Sequence, residues 1–179
     1  MEIGPYWRWV TELVPFNEEQ VLVARFRCRS TGRTFSMLPV QLVPYHKYTV
    51  ASILLVLLLA AVASDEGLGL CATAEKRLTQ NTGITGGLIH CWLLMVTTGL
   101  RRAHHLLARW ARLGDILSGE TDFGRLREIR AYCRALRIRG PPRLEQMFGL
   151  DRALVRHARA TNRFLFGVPS QERRGTCAS

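Results

Sequence analysis

Short alternating runs at the start of the chain give way to one long apolar run and then to helical repeats. Tyr6, Trp7, Trp9 and Val10 form one run of aromatic and β-branched character, and Val21, Leu22, Val23 and Phe26 form the next. With Thr34, Phe35 and Met37 they predict a small antiparallel sheet, since such residues between polar breaks read as strands. The polar stretch Asn17-Glu18-Glu19-Gln20 is expected to supply the first turn. A sheet this small is marginal by itself, and it is expected to lean on the helix that follows Pro39, Pro44, Tyr45 and Tyr48.

From Val50 to Ala63 only Ser52 interrupts the apolar residues. The run predicts a helix over 49–64 that is apolar nearly all round, the mark of an element surrounded by others. A membrane span needs roughly 20 apolar residues, and shorter runs are more often buried core helices. His46, Lys47, Asp65 and Glu66 bracket the run. A membrane-inserted helix over about 49–64, with a basic region on the cytoplasmic side, is the alternative.

After the breaker Gly67-Leu68-Gly69, Leu70 to Leu78 predicts a short helix, and Thr79 to Gly83 a turn in which Asn and Gly tolerate left-handed geometry. A second helix is expected from near Thr85 through Ile89, Trp92, Leu93, Val96 and Leu100, its start weakened by Gly86 and Gly87. This pair over 70–100 has the dimensions of a helix-turn-helix, a signature that any helical hairpin shares. Beyond Arg101 the chain reads as basic helices to about 163. In the stretch from Arg125 to Arg139, Leu126, Ile129, Cys133 and Leu136 recur at helical spacing, while Arg127, Arg130, Arg134 and Arg137 repeat on another face. Gly140-Pro141-Pro142 stops that helix. From Leu144 to Arg163 a further helix is expected, with Leu144, Met147, Leu154, Val155 and Ala158 inside and Arg152, Arg156, Arg159 and Arg163 outside. The expected class is α+β, mainly α: a β-ribbon over 1–44, a helical bundle over 45–168 and a flexible tail over 169–179.

Charge changes this picture. The 179 residues carry a formal net charge of +11. Residues 1–100 hold 8 Lys or Arg against 7 acids, and residues 101–179 hold 17 Arg, no Lys and 7 acids. The excess is therefore almost entirely arginine in the second half, and guanidinium suits bidentate phosphate contact and base stacking. A polyanion is the expected partner, with DNA first and an anionic membrane surface second. Arg101, Arg102, Arg127, Arg130, Arg134 and Arg137 are the candidate phosphate contacts, and the helix near Thr85 to Trp92 is expected to approach the major groove. The five cysteines at 28, 71, 91, 133 and 177 are an odd, irregularly spaced set, which argues against a disulfide framework. Met1 to Trp9 lacks the basic start and apolar run of a secretory signal, so a reducing cytoplasm is expected, with the inner membrane as the alternative.

Catalytic constellations do not emerge. The fourteen acids are scattered without a paired motif, and there is no P-loop, dinucleotide-type glycine loop or G-x-S-x-G elbow. The second half lacks the strands on which a transposase catalytic core places three carboxylates. His104 and His105, like His90 and Cys91, are adjacent in sequence and diverge by about 100° on a helix, which makes poor ligand pairs. No enzyme activity, cofactor or small-molecule substrate is expected. Tyr6, Trp7 and Trp9 beside Arg8 could form a base-stacking platform if the rings are exposed, or could cap a small core.

Arg25 to Ser36 has the outline of a zinc-ribbon knuckle. A working knuckle sets two thiolates three positions apart around a tight, glycine-containing turn. Here Cys28 keeps one position, Thr31 occupies the other, and residues 1–27 contain no other cysteine and no histidine. Over Arg27-Cys28-Arg29-Ser30-Thr31-Gly32-Arg33-Thr34-Phe35-Ser36-Met37-Leu38-Pro39 and Leu42-Val43-Pro44-Tyr45-His46-Lys47-Tyr48, the sequence resembles a bacterial family of transposase-related zinc-ribbon proteins with a domain of unknown function. Leu70 to Trp92 is similar, more loosely, to that family's helix-turn-helix region. The resemblance implies a non-catalytic DNA-binding protein derived from or associated with a transposable element. By the resemblance Cys28 is the third zinc-ligand position and Thr31 replaces the fourth; with the other ligands missing from the sequence, Cys28 is the sole remnant and no metal is expected. A decayed mobile-element product without activity is the remaining alternative.

Overall fold

Alternating residues in the first third of the chain build a three-stranded antiparallel sheet, in order β1-β2-β3. In the computed structural model, residues 3–39, 41–78, 82–110, 113, 116–136, 153 and 155–161 are described. Strand β1 (Tyr6–Leu13) pairs with β2 (Phe16–Arg27) from Tyr6↔Val23 to Leu13↔Phe16. Strand β3 (Thr34–Met37) pairs with β2 from Ala24↔Met37 to Arg27↔Thr34. The expected turn at Asn17–Gln20 is a correction: the first hairpin closes over Val14 and Pro15, and 17–20 lie inside β2 opposite Glu12 to Trp9. Proline has no amide hydrogen for the ladder and so takes the turn, whereas the polar side chains of 17–20 sit on an exposed strand end.

Backbone hydrogen bonds tie the segment after the sheet to the outer edge of β1. Thr11 N donates to Lys47 O at 2.7 Å, and Thr49 N donates to Thr11 O at 3.2 Å. Arg8 donates through Nη2 to the carbonyls of Val43, at 2.8 Å, and of His46. Ser52 accepts from Leu13 N at 2.9 Å and donates to Glu12 Oε1 at 3.0 Å. Val10, Val23, Leu42, Val43, Tyr48, Val50 and Ile53 are the buried apolar residues here. The chain divides into two compact units after Ile53.

Helix α1 (Val50–Asp65) falls within one residue of its expected bounds and is capped by Thr49, whose Oγ1 accepts from Ser52 N at 3.1 Å. Leu54, Val56, Leu57, Ala60, Ala61 and Ala63 on it are buried. Gly67, at φ +81°, ends it: only glycine enters that left-handed turn at little cost. Helix α2 (Leu70–Arg77) and helix α3 (Gly86–Ala108) pack together, and α3 also packs against α4 (Asp122–Ala135). The α2–α3 contact requires Gly86. A Cβ there would lie 2.6 Å from Cys71 Sγ and 2.8 Å from Cys71 N and Cα. Thr85 caps α3 through Oγ1 to Leu88 N at 3.2 Å, which offsets the weak helix start that Gly86 and Gly87 impose.

The architecture is mainly helical with a small N-terminal sheet, as the sequence pattern implies. No single described helix is long and apolar enough to cross a membrane; α1 and α2 reach that length only as a pair bent by 109°. The expected turn residues Thr79, Gln80 and Asn81 lie outside the described residues, and Gly83 is left-handed at φ +66°. Most of the expected helix from Leu144 to Arg163 and the tail over 169–179 also lie outside them, although residues 155–161 are helical.

Candidate nucleic-acid interface

Helix α4 sorts the arginines. Its buried stripe is Leu126, Ile129, Cys133 and Leu136, at the spacing read from the sequence. Glu128 and Tyr132 are buried beside that stripe, each with 2% of its surface exposed, and nothing in the hydrophobic period announced them. A buried carboxylate needs a cation and further donors to offset its desolvation. Glu128 finds them on α3 and in the loop before α4: Arg101 Nε donates to Oε1 at 2.8 Å, Arg101 Nη2 to Oε2 at 2.6 Å, and Gly119 N to Oε2 at 3.0 Å. Arg101 Nη2 also donates to Gly119 O at 2.6 Å. Its hydrogen bonds to the Glu128 carboxylate hold the Arg101 guanidinium above its ordinary pKa. Next to this fork, Tyr132 Oη lies 2.8 Å from His104 Nδ1, and burial pushes the Tyr132 phenol upward.

Arg101 therefore joins two helices, and Arg130 is drawn to Asp65 beyond the end of α1's last apolar turn. Arg102 is exposed on α3. Arg127 and Arg134 are exposed two turns apart on α4, and the Arg127 guanidinium lies 4.2 Å from the Phe123 ring centroid. Arg137 lies outside the described residues. On the described part of the last helix Arg156 and Arg159 are exposed, while His157 is buried with Thr161 beside it.

Gly86 to Leu100, which includes the helix expected near the major groove, contains no Lys, Arg, Asp or Glu, and His90 Nδ1 lies 2.9 Å from Asp122 Oδ1. Helix α2 ends at Arg77 and α3 begins at Gly86, and residues 79–81 of the link between them lie outside the described residues.

The knuckle keeps its outline. Cys28 N donates to Arg33 O at 2.8 Å, Gly32 N donates to Cys28 O at 2.9 Å, and Gly32 is left-handed at φ +66°. Arg25, Arg27, Arg29 and Arg33 are all exposed around it, and residues 24–39 contain no acid. Ser30 Oγ lies 3.1 Å from Cys28 Sγ, and hydrogen bonds from Ser30 and Thr31 lower the thiol pKa to about 6. Among the described residues, no three His, Cys, Asp or Glu side chains converge as metal ligands.

Strand alternation splits the aromatic cluster at the N-terminus. Tyr6 and Arg8 point one way: the Arg25 guanidinium covers the Tyr6 ring at 5.8 Å, and Arg8 is anchored to loop carbonyls. Burial lowers the Arg8 pKa. Trp7 and Trp9 point the other way and remain 63% and 60% exposed. The pairing Trp7↔Leu22, Ala24↔Met37 and Phe26↔Phe35 puts Leu22, Phe26, Phe35 and Met37 on that same face.

No family model, curated protein or solved structure matches this chain.

Proposed function

We propose that the protein is a non-catalytic DNA-binding protein associated with a transposable element, holding the phosphate backbone through exposed arginines. The observation that carries this reading is the sorting of cations on α3 and α4. Arg101 and Arg130 bond to carboxylates of the same chain, whereas Arg127 and Arg134 present exposed guanidinium groups on α4. Arginine in such positions donates two hydrogen bonds to a phosphate at once. The absence of lysine from the entire second half suits the same partner. The knuckle resemblance supplies the link to mobile DNA, and its exposed arginines add cationic surface at the other end of the chain.

The reading commits to backbone contact, which orients a protein on a duplex without reading its sequence. Fluorescence anisotropy with a labelled 20-base-pair duplex tests it. Replacing Arg127 and Arg134 together by Ala weakens binding by roughly tenfold or more, because each lost charged hydrogen bond is worth about 1.5 kcal/mol. Equal affinity of wild type and variant, both folded, overturns the assignment.

A further inference from the structure

The sheet turns the wrong side outward for a core element. Three strands contribute Trp7, Trp9, Leu22, Phe35 and Met37 to one face, and each of these side chains is at least 50% exposed. The opposite face carries the buried Val10 and Val23 and the anchored Arg8. A surface that gathers two indoles, a phenyl ring and a thioether on three paired strands is an interaction site rather than scattered surface apolarity.

We propose that this face binds unpaired nucleotides by stacking, with Trp7, Trp9 and Phe35 as the platform and the arginine knuckle as the phosphate clamp. The inference rests on the nucleic-acid reading above and narrows it to a second, single-stranded ligand. Trp7 and Trp9 are two residues apart on one strand, which sets their rings about 7 Å apart along it, a spacing that an extended single strand can match with successive bases. Toward the knuckle, Phe26 and Phe35 stack with centroids 5.6 Å apart and an interplanar angle of 21°. The strands carrying that pair end in the loop with Arg29 and Arg33 exposed. Aromatic rings beside a cationic rim are the combination that holds single strands with little sequence preference.

Charge selects this occupant over a second copy of the chain. The loop that ends this face carries Arg29 and Arg33, and residues 24–39 contain no acid, so two copies meeting over this end would oppose like charges. The carboxylate paired into the same face, Glu18, lies at the far end and accepts from Thr11 Oγ1 at 3.0 Å.

The test titrates the full-length chain with a labelled mixed-sequence 20-nucleotide single strand and, separately, with its duplex, at one salt concentration. Because both indoles project into solvent, Trp7→Ala with Trp9→Ala leaves the core intact. That variant binds the single strand at least tenfold more weakly, since one lost base stack is worth roughly that factor. It binds the duplex within twofold of wild type. Trp7→Phe with Trp9→Phe, which keeps aromatic faces, restores most of the single-strand affinity. Unchanged single-strand binding by the alanine variant overturns the proposal while leaving duplex binding standing. So does a change in sedimentation from dimer to monomer without loss of strand binding, which would make the face a self-association surface. Failure of the wild-type chain to bind either probe removes the DNA-binding reading and this inference together.

Discussion

The two units invert each other's surface chemistry. The strand unit leaves large apolar side chains outside, Trp7 and Trp9 above all, while the helical unit draws a carboxylate, Glu128, inside. Each departure is held in place differently. Glu128 is bonded on both oxygens and neutralised by Arg101, so its burial is compensated within the chain. Trp7 and Trp9 have no such compensation and are compatible with the fold only because exposing an indole on one sheet face costs little while the other face is packed. A buried polar group with every partner present points to structure; an exposed aromatic row points to a ligand.

That contrast breaks first at Arg101. Replacing it by Ala strands Glu128 as an uncompensated buried charge and is expected to cost about 3 kcal/mol, read as a lower midpoint in urea unfolding. Replacing Trp7 by Ala removes a solvent-facing ring and is expected to move stability by no more than about 0.5 kcal/mol, despite the larger side chain. Equal destabilisation by the two would show that the indole is part of a core.

A subtler comparison uses the two cysteines. Burial pushes the Cys133 thiol up to about 12, whereas hydrogen bonds in the knuckle bring Cys28 down to about 6. The thiolate is the reactive form, so a lowered pKa means that reactivity is gained as pH rises through about 6 and is nearly complete at neutral pH. Iodoacetamide labelling mapped by mass spectrometry is therefore expected to modify Cys28 with a midpoint near pH 6 and to leave Cys133 untouched until the protein unfolds. A Cys28 midpoint above 8 would remove the knuckle hydrogen bonds from the account.

The sequence made periodic features legible and long-range ones illegible. Helix α1 was readable because fourteen nearly uninterrupted apolar residues leave no other reading, and the buried stripe of α4 followed from its spacing. The first hairpin turn was misplaced because polar composition at Asn17–Gln20 outweighed Pro15, the residue that a strand cannot accommodate. The bond from Arg101 to Glu128 was illegible because that partner lies 27 residues away, and a pairing of that range leaves no local trace. A weak signal did exist: Glu128 and Tyr132 are one helical turn apart, flanking the apolar stripe. The exposed face of the sheet was half legible. Alternation separates Trp7 and Trp9 from Tyr6 and Arg8, but strand periodicity alone does not say which set faces water.

The account stands most directly on the salt dependence of duplex binding by the full chain. Each phosphate neutralised contributes about −0.9 to the slope of log K against log salt. The wild-type chain is predicted to give a slope of about −3 or steeper, and the chain lacking Arg127 and Arg134 a slope shallower by about 2. Weak binding that stays level from low to high salt, or the same slope in both chains, would contradict the claim that these guanidinium groups lie along a phosphate backbone.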